Sequence, residues 1–195
     1  MKITVFGVDI DLKETEYKNV GDIIDTIESQ GAIVVEVIAD EEDITNFSAA
    51  ELEAIMPIKD LKIIAKSKKD LIIDSLEEVE NYIPRLIEGI DNIVKLFTQG
   101  NEPEGYQLLM QLFEGIEWLN MLLGHMEKDM QINEMMFNII NKAEFVDQWQ
   151  NSIEELLSAM ENQDTIFLSD ILEYEVTPVL KDYFNLAKDL NIKLS

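Results

Sequence analysis

His125 is the only histidine of the 195 residues, and there is no cysteine. Any serine–histidine nucleophile, imidazole metal ligand or general base poised near neutral pH would therefore have to use this one ring. It lies between Leu122 and Met126 where the apolar periodicity ends a helix, and an imidazole there complements the negative end of the helix dipole. That structural role is the expected one. The Glu-x-x-His pair of carboxylate-bridged di-iron bundles would need glutamate at 122, where this chain has leucine, which argues against a ferritin-like site.

The carboxylates most embedded in apolar helical sequence are Glu88, Glu114, Glu117, Glu173 and Glu175. Two of them facing each other inside a bundle would hold a hard cation or shift each other's pKa. Acids beside a helical seam are ordinarily its solvated flank. The loop acids Asp40–Asp43 lack the alternating ligands and central glycine of an EF-hand. No phosphate-cradling glycine loop, dinucleotide fingerprint or activated-nucleophile motif occurs. A catalytic residue, a metal and a cofactor are accordingly not expected. Met121, Met126, Met130, Met135 and Met136 cluster around one turn between helices. Methionine fills irregular cores, and the same softness suits a groove that accepts varied partner helices. These five are the candidate partner-binding residues.

Composition bounds the rest. With 15 basic and 40 acidic side chains the net charge is −25, and 47% of residues are apolar. That is too hydrophobic for a disordered acidic chain and enough for a real core. The charge repels phosphate backbones and anionic headgroups, so direct nucleic-acid or membrane-surface binding is not expected, whereas a basic partner is compatible. The absence of cysteine fits a reducing compartment. The start, MKITVFGVDIDLKE, lacks the basic-then-apolar layout of a secretion signal. No apolar run approaches the roughly 18 residues that cross a bilayer. A cytoplasmic protein is expected.

Residues 1–69 sum to −7 and residues 70–195 to −18, and the strongly positive stretch Lys62, Lys66, Lys68, Lys69 marks the change in pattern. The boundary is placed there, giving domains 1–68 and 69–195. In the first, Ile3 and Val5, then Val8, Ile10 and Leu12, alternate about Gly7 as an antiparallel hairpin would. Val20, Ile23, Ile24 and Ile27 form one helical stripe, with Asn19 as cap and Gly31 as stop. Ala32–Ala39 is a short β-branched block that reads as a buried strand, and Asp40–Asp43 as the turn after it. Ser48 with Glu51 reads as a capping box for a short helix limited by Pro57, and Leu61–Ala65 as the last strand. This order, strand, strand, helix, strand, short helix, strand, resembles the β-grasp or ubiquitin-like fold. The resemblance implies a compact adhesive module over about the first 67 residues and carries no function by itself.

The second domain reads as an antiparallel four-helix bundle, making the chain α+β. Its first seam is Ile72, Leu76, Val79, Ile83, Leu86, Ile90, Ile93 and Phe97, with Pro84 expected to kink or split it. Asn101 and Glu104 suggest a capping box for a second helix with the seam Leu109, Leu112, Ile116, Leu119, Leu123, Met126. A third runs Ile132, Met136, Ile139, Ala143, Val146, Ile153, Leu157, Met160 with Trp149 beside it; unbroken it would be about 45 Å long, and a straight run throughout is not expected. The fourth runs Leu168, Leu172, Val176, Val179, Tyr183, Leu186, Leu190, interrupted by Pro178. Gly89 and Gly115 sit at matching places in LIEGIDNIVKLF and LFEGIEWLNMLL. Each costs about 1 kcal/mol against alanine, so close helix approach is the physical reason expected for both.

The bundle is similar in architecture and charge to small bacterial export chaperones of the flagellar type, which implies masking of a partner's amphipathic helix and assigns no residue. The function expected is a non-catalytic protein–protein interaction or assembly factor, adaptor- or chaperone-like, binding an amphipathic helix or a basic protein through the bundle. Two alternatives stand beside it: an acidic mimic of nucleic acid that occupies a basic nucleic-acid-binding protein, and a metal-dependent enzyme built on buried bundle carboxylates. So many seam residues would also permit a homodimer.

Overall fold

The structure is a computed structural model describing residues 2–5, 8–11, 17–55 and 60–195. It is α+β and mostly helical, and divides into two compact units, Met1–Ile72 and Ile73–Ser195.

In the first unit β1 (Lys2–Val5) pairs antiparallel with β2 (Val8–Asp11). The expected turn at Gly7, the strand end at Leu12 and the limiting Pro57 lie outside the described residues. Helix α1 (Val20–Ser29) follows, its first turn closed by Asn19, whose Oδ1 accepts from the Asp22 amide at 2.8 Å. Gly31, at φ +83°, turns the chain out of it, a conformation that glycine reaches without strain. Strand β3 (Ala32–Ala39) then leads into β4 (Glu42–Asp43) through Asp40 and Glu41, both at positive φ. The acidic stretch read as a turn thus contains a fifth strand as well. Two residues of acid carry no apolar alternation, so pattern alone passes over them. Thr45 secures this corner by accepting from the Val37 amide at 2.9 Å. Helix α2 (Ala49–Ala54) has Glu51 accepting from the Ser48 amide (2.7 Å) and hydroxyl (2.6 Å).

Strand β5 (Leu61–Ser67) is central: parallel to β1, antiparallel to β3, in a sheet of order β2-β1-β5-β3-β4. Val20, Ile23 and Ile27 of α1 close over Val37, Leu61, Ile63 and Ala65 to make the core of this unit.

Helix α3 (Lys68–Thr98) begins directly after β5, where the Asp70 amide donates to the Ser67 hydroxyl at 3.0 Å. Its seam from Leu76 to Phe97 is buried, and it runs unbroken through Pro84. A proline costs an interior helix about 3 kcal/mol; apolar burial on both sides of it holds this helix in one piece. Helix α4 (Glu102–Lys128) starts with Pro103 in its first turn, and the expected Asn101 box is absent, since Asn101 makes no side-chain cap bond. Helix α5 (Met130–Ile139) is capped by Asp129, which accepts from the Gln131 and Ile132 amides at 3.0 and 3.1 Å.

The third predicted rod breaks at Ile140–Asn141, and α6 (Lys142–Glu161) restarts in a new phase. Its buried positions are Phe145, Trp149, Ser152, Leu156 and Ala159, one residue ahead of the expected Val146, Ile153, Leu157 and Met160. The break resets the helical register, which a constant period carried across it cannot follow. Helix α7 (Thr165–Ile171) passes through a π-helical turn, Leu172–Val176, into α8 (Thr177–Leu194). The π turn lies just before Pro178, which has no amide hydrogen and whose ring crowds the preceding turn; a widened turn relieves both. The expected seam from Leu168 to Leu190 is buried throughout.

Candidate functional site

Aromatic side chains fix the geometry of α4, α6 and α8. Tyr183 is fully buried, edge-on to both Phe145 and Trp149 at 5.7 and 5.5 Å between ring centroids. Its hydroxyl donates to the Leu119 carbonyl at 3.0 Å, and the Trp149 indole N–H donates to Asn120 Oδ1 at 3.2 Å. Burial pushes the Tyr183 phenol above the usual range, so it stays a neutral donor at any physiological pH. One helix of this unit is thereby held at a set rotation against two others.

That rotation brings two polar stripes together. On α6, Glu144, Gln148, Asn151 and Glu155 run one position before the buried Phe145, Trp149, Ser152 and Leu156. On the π turn and α8, Glu175, Pro178 and Asp182 flank Val176, Val179 and Tyr183. The stripes line two adjoining clefts, of about 350 and 320 Å³, that share Gln148 and Asp182. The first is bounded also by Asn151, Glu155, Tyr174 and Glu175, the second by Ile140, Asn141 and Glu144. The Glu175 carboxyl holds its proton more tightly than an ordinary glutamate, through partial burial first and the facing Glu155 carboxylate second. Tyr174, 73% exposed, offers an aromatic face at the edge. Four carboxylates, side-chain amides and an exposed ring make a groove suited to cations by ion pairing, hydrogen bonding and cation–π contact.

The residues singled out by sequence fall elsewhere, with one exception. Glu175 lies in the groove; Glu88, Glu114, Glu117 and Glu173 are exposed. His125 is exposed in the last turn of α4, beside Lys128. Asp43 accepts from the Thr45 hydroxyl and amide at 2.6 and 3.0 Å, which hold its carboxyl below the usual carboxylate range. Asp40 accepts from the Asp60 amide at 2.8 Å. These acids shape a corner. Among the described residues no group of three or more histidine, aspartate or glutamate side chains is placed to hold a metal ion. The methionines separate: Met126 and Met136 are core, Met135 is half-buried, and Met121 and Met130 are 60% and 88% exposed.

Glu144, Gln148, Asn151, Glu155 and Asp182 were not distinguished by sequence reasoning. For the first four the signal is a 4-3-4 polar stripe beside an apolar one on α6. The break at Ile140–Asn141 hides it, because a period carried across that break places the α6 seam one residue late.

The model of a domain family of unknown function, DUF8042, matches residues 74–185, more than half of the chain, which therefore belongs to that family. The match contains the whole α6–α8 groove and runs from the second turn of α3 to the middle of α8. No curated protein and no solved structure matches the chain. No helix among the described residues is long and apolar enough to cross a membrane.

Proposed function

We propose that the protein is a non-catalytic interaction or assembly factor of the cytoplasm, which takes up a basic, amphipathic segment of a partner protein in the groove between α6 and α8. The observation that carries this reading is the continuous lining of Glu144, Glu155, Glu175 and Asp182 on helices whose rotation is fixed by Trp149 and Tyr183. A lysine or arginine side chain entering beside Glu175 relieves its repulsion with Glu155. The amides of Gln148 and Asn151 supply donors and acceptors for the partner's backbone. In the same reading α3, α4, α5 with α6, and α7 with α8 are the four rods of a bundle. The first unit is a β-grasp module, a reading supported by its β2-β1-β5-β3-β4 order about a parallel β1–β5 pair.

The test is capture of partners from native lysate by the tagged full-length chain and by a variant carrying Glu144→Gln, Glu155→Gln, Glu175→Gln and Asp182→Asn. A basic partner held by the parent at low salt and lost by the variant supports the reading. Retention of the same partner by the variant contradicts it, and recovery only of nucleic-acid-binding proteins would point to mimicry instead.

A further inference from the structure

The helical unit has a second groove of opposite character, between α3 and α4. Leu86, Ile93, Leu108 and Leu112 line it together with Gly89 and Arg85, around a space of about 200 Å³. The two glycines of the matched sequence stretches part company here. A Cβ on Gly115 would come within 2.5 Å of the Tyr82 hydroxyl and 2.8 Å of Leu86 Cδ2, so packing of α4 on α3 accounts for that glycine. A Cβ on Gly89 would meet nothing within 4 Å. The chain bears the helix penalty of a mid-helical glycine there with no internal contact in return, and the space it leaves opens to the outside.

Arg85 is the single arginine of a chain that carries 40 acids. Its Nε–H donates to the Asn81 carbonyl at 3.2 Å and its guanidinium lies 5.4 Å from the centre of the Tyr82 ring. Tyr82 is itself held edge-on against Trp118, at 5.4 Å between centroids. Among the described residues no carboxylate lies within ion-pair distance of Arg85. The cation–π contact and the Nε bond orient the guanidinium while its terminal nitrogens stay available for a planar, two-point contact with a carboxylate.

We propose that this groove is a docking site for a protein segment in which one apolar side chain stands next to a carboxylate, the side chain entering the recess over Gly89 and the carboxylate pairing with Arg85. Charge complementarity selects the occupant: on a chain of net charge −25, an arginine held by Asn81 and Tyr82, with no carboxylate partner among the described residues, lines an apolar recess of side-chain size. The site is separate from the α6–α8 groove, and either can fail without the other.

The probe is N-acetylphenylalanine, titrated into the isotopically labelled full chain and followed by NMR at the Gly89 amide and the Arg85 Nε–H. Its uncharged amide, N-acetylphenylalaninamide, is the control. The acid is expected to perturb both signals at millimolar concentration and the amide to bind at least tenfold more weakly. Arg85→Gln is expected to weaken the acid at least tenfold, and Gly89→Leu to abolish the response while leaving the fold intact. Equal binding of acid and amide, an unchanged response in Arg85→Gln, or perturbations that map elsewhere would overturn the proposal. Octanoate binding as tightly as the acetylated amino acid would reassign the site to lipid-like ligands. Concentration-dependent shifts of the same signals without probe would reassign it to a second copy of the chain. Either result also overturns it.

Discussion

The α3–α4 and α6–α8 pairs are both long helices closed over apolar seams, yet they leave different surfaces behind. In α3–α4 the contact is made by rings set against a glycine, Tyr82 over Gly115 and Phe97 over Gly105, and the recess beside it is apolar with one arginine. In α6–α8 the contact is a buried aromatic cluster, with each helix hydrogen-bonded in turn to α4, and the groove beside it is polar with four carboxylates. The seam decides that helices pack; the residues one position off the seam decide what the packed pair presents to a partner. A single family domain thus carries two grooves of opposite character, one lined by carboxylates and the other by apolar side chains and an arginine.

The largest effect is expected from removing the cluster that sets the rotation of α6 on α8. Trp149→Ala deletes a side chain that is 2% exposed and is expected to cost about 3–5 kcal/mol, measured by urea unfolding, with loss of basic-segment binding well before loss of helicity. Tyr183→Phe keeps the rings and removes only the bond to the Leu119 carbonyl; about 1 kcal/mol is expected, again from urea unfolding. Alanine variants of the two glycines, Gly115 and Gly89, should differ in sign. Gly115→Ala must displace Tyr82 and Leu86, and is expected to destabilise by about 1 kcal/mol net of the gain in helix propensity. Gly89→Ala meets no atom and is expected to stabilise by about 1 kcal/mol; paired thermal melts of the two variants decide it.

The smallest effect concerns pH. Because the Glu175 carboxyl is raised by burial and by Glu155, the folded chain binds more protons than the unfolded one between the ordinary glutamate range and the raised value. Stability contributed by this group is therefore present at acid pH and declines as pH rises through that window. Glu175→Gln removes the decline, so the variant should melt on the order of 1 °C higher at pH 7 and equal the parent near pH 4, solvent screening keeping the effect small. Calorimetry at the two pH values checks the sign.

What could be read from the sequence was whatever a local period encodes. The seams of α3, α4 and α7–α8, the Asn19 cap, the Ser48–Glu51 box and the β-branched strand Ala32–Ala39 all rest on contacts within a few residues. What escaped depends on breaks or on distant partners. The phase of α6 is set by the interruption at Ile140–Asn141, so Trp149 belongs to the seam it was placed beside. Strand β4 exists only through its pairing with β3. Gly89 and Gly115 look alike in sequence and differ because Tyr82 stands over one of them. The candidate groove is the extreme case: Glu144 and Glu155 form a readable stripe, but only the rotation fixed by Tyr183 brings Glu175 and Asp182 opposite them.

Uptake of a basic segment by the α6–α8 groove is tested most directly by an NMR titration of the full chain with an amphipathic Lys/Leu peptide at low and high salt. Perturbation of the Gln148 and Asn151 side-chain amides and of the Glu175–Asp182 backbone, with affinity falling at least tenfold between about 50 and 500 mM salt, is the result expected. Shifts spread evenly over the acidic surface, or centred on Met121 and Met130 and insensitive to salt, would contradict it.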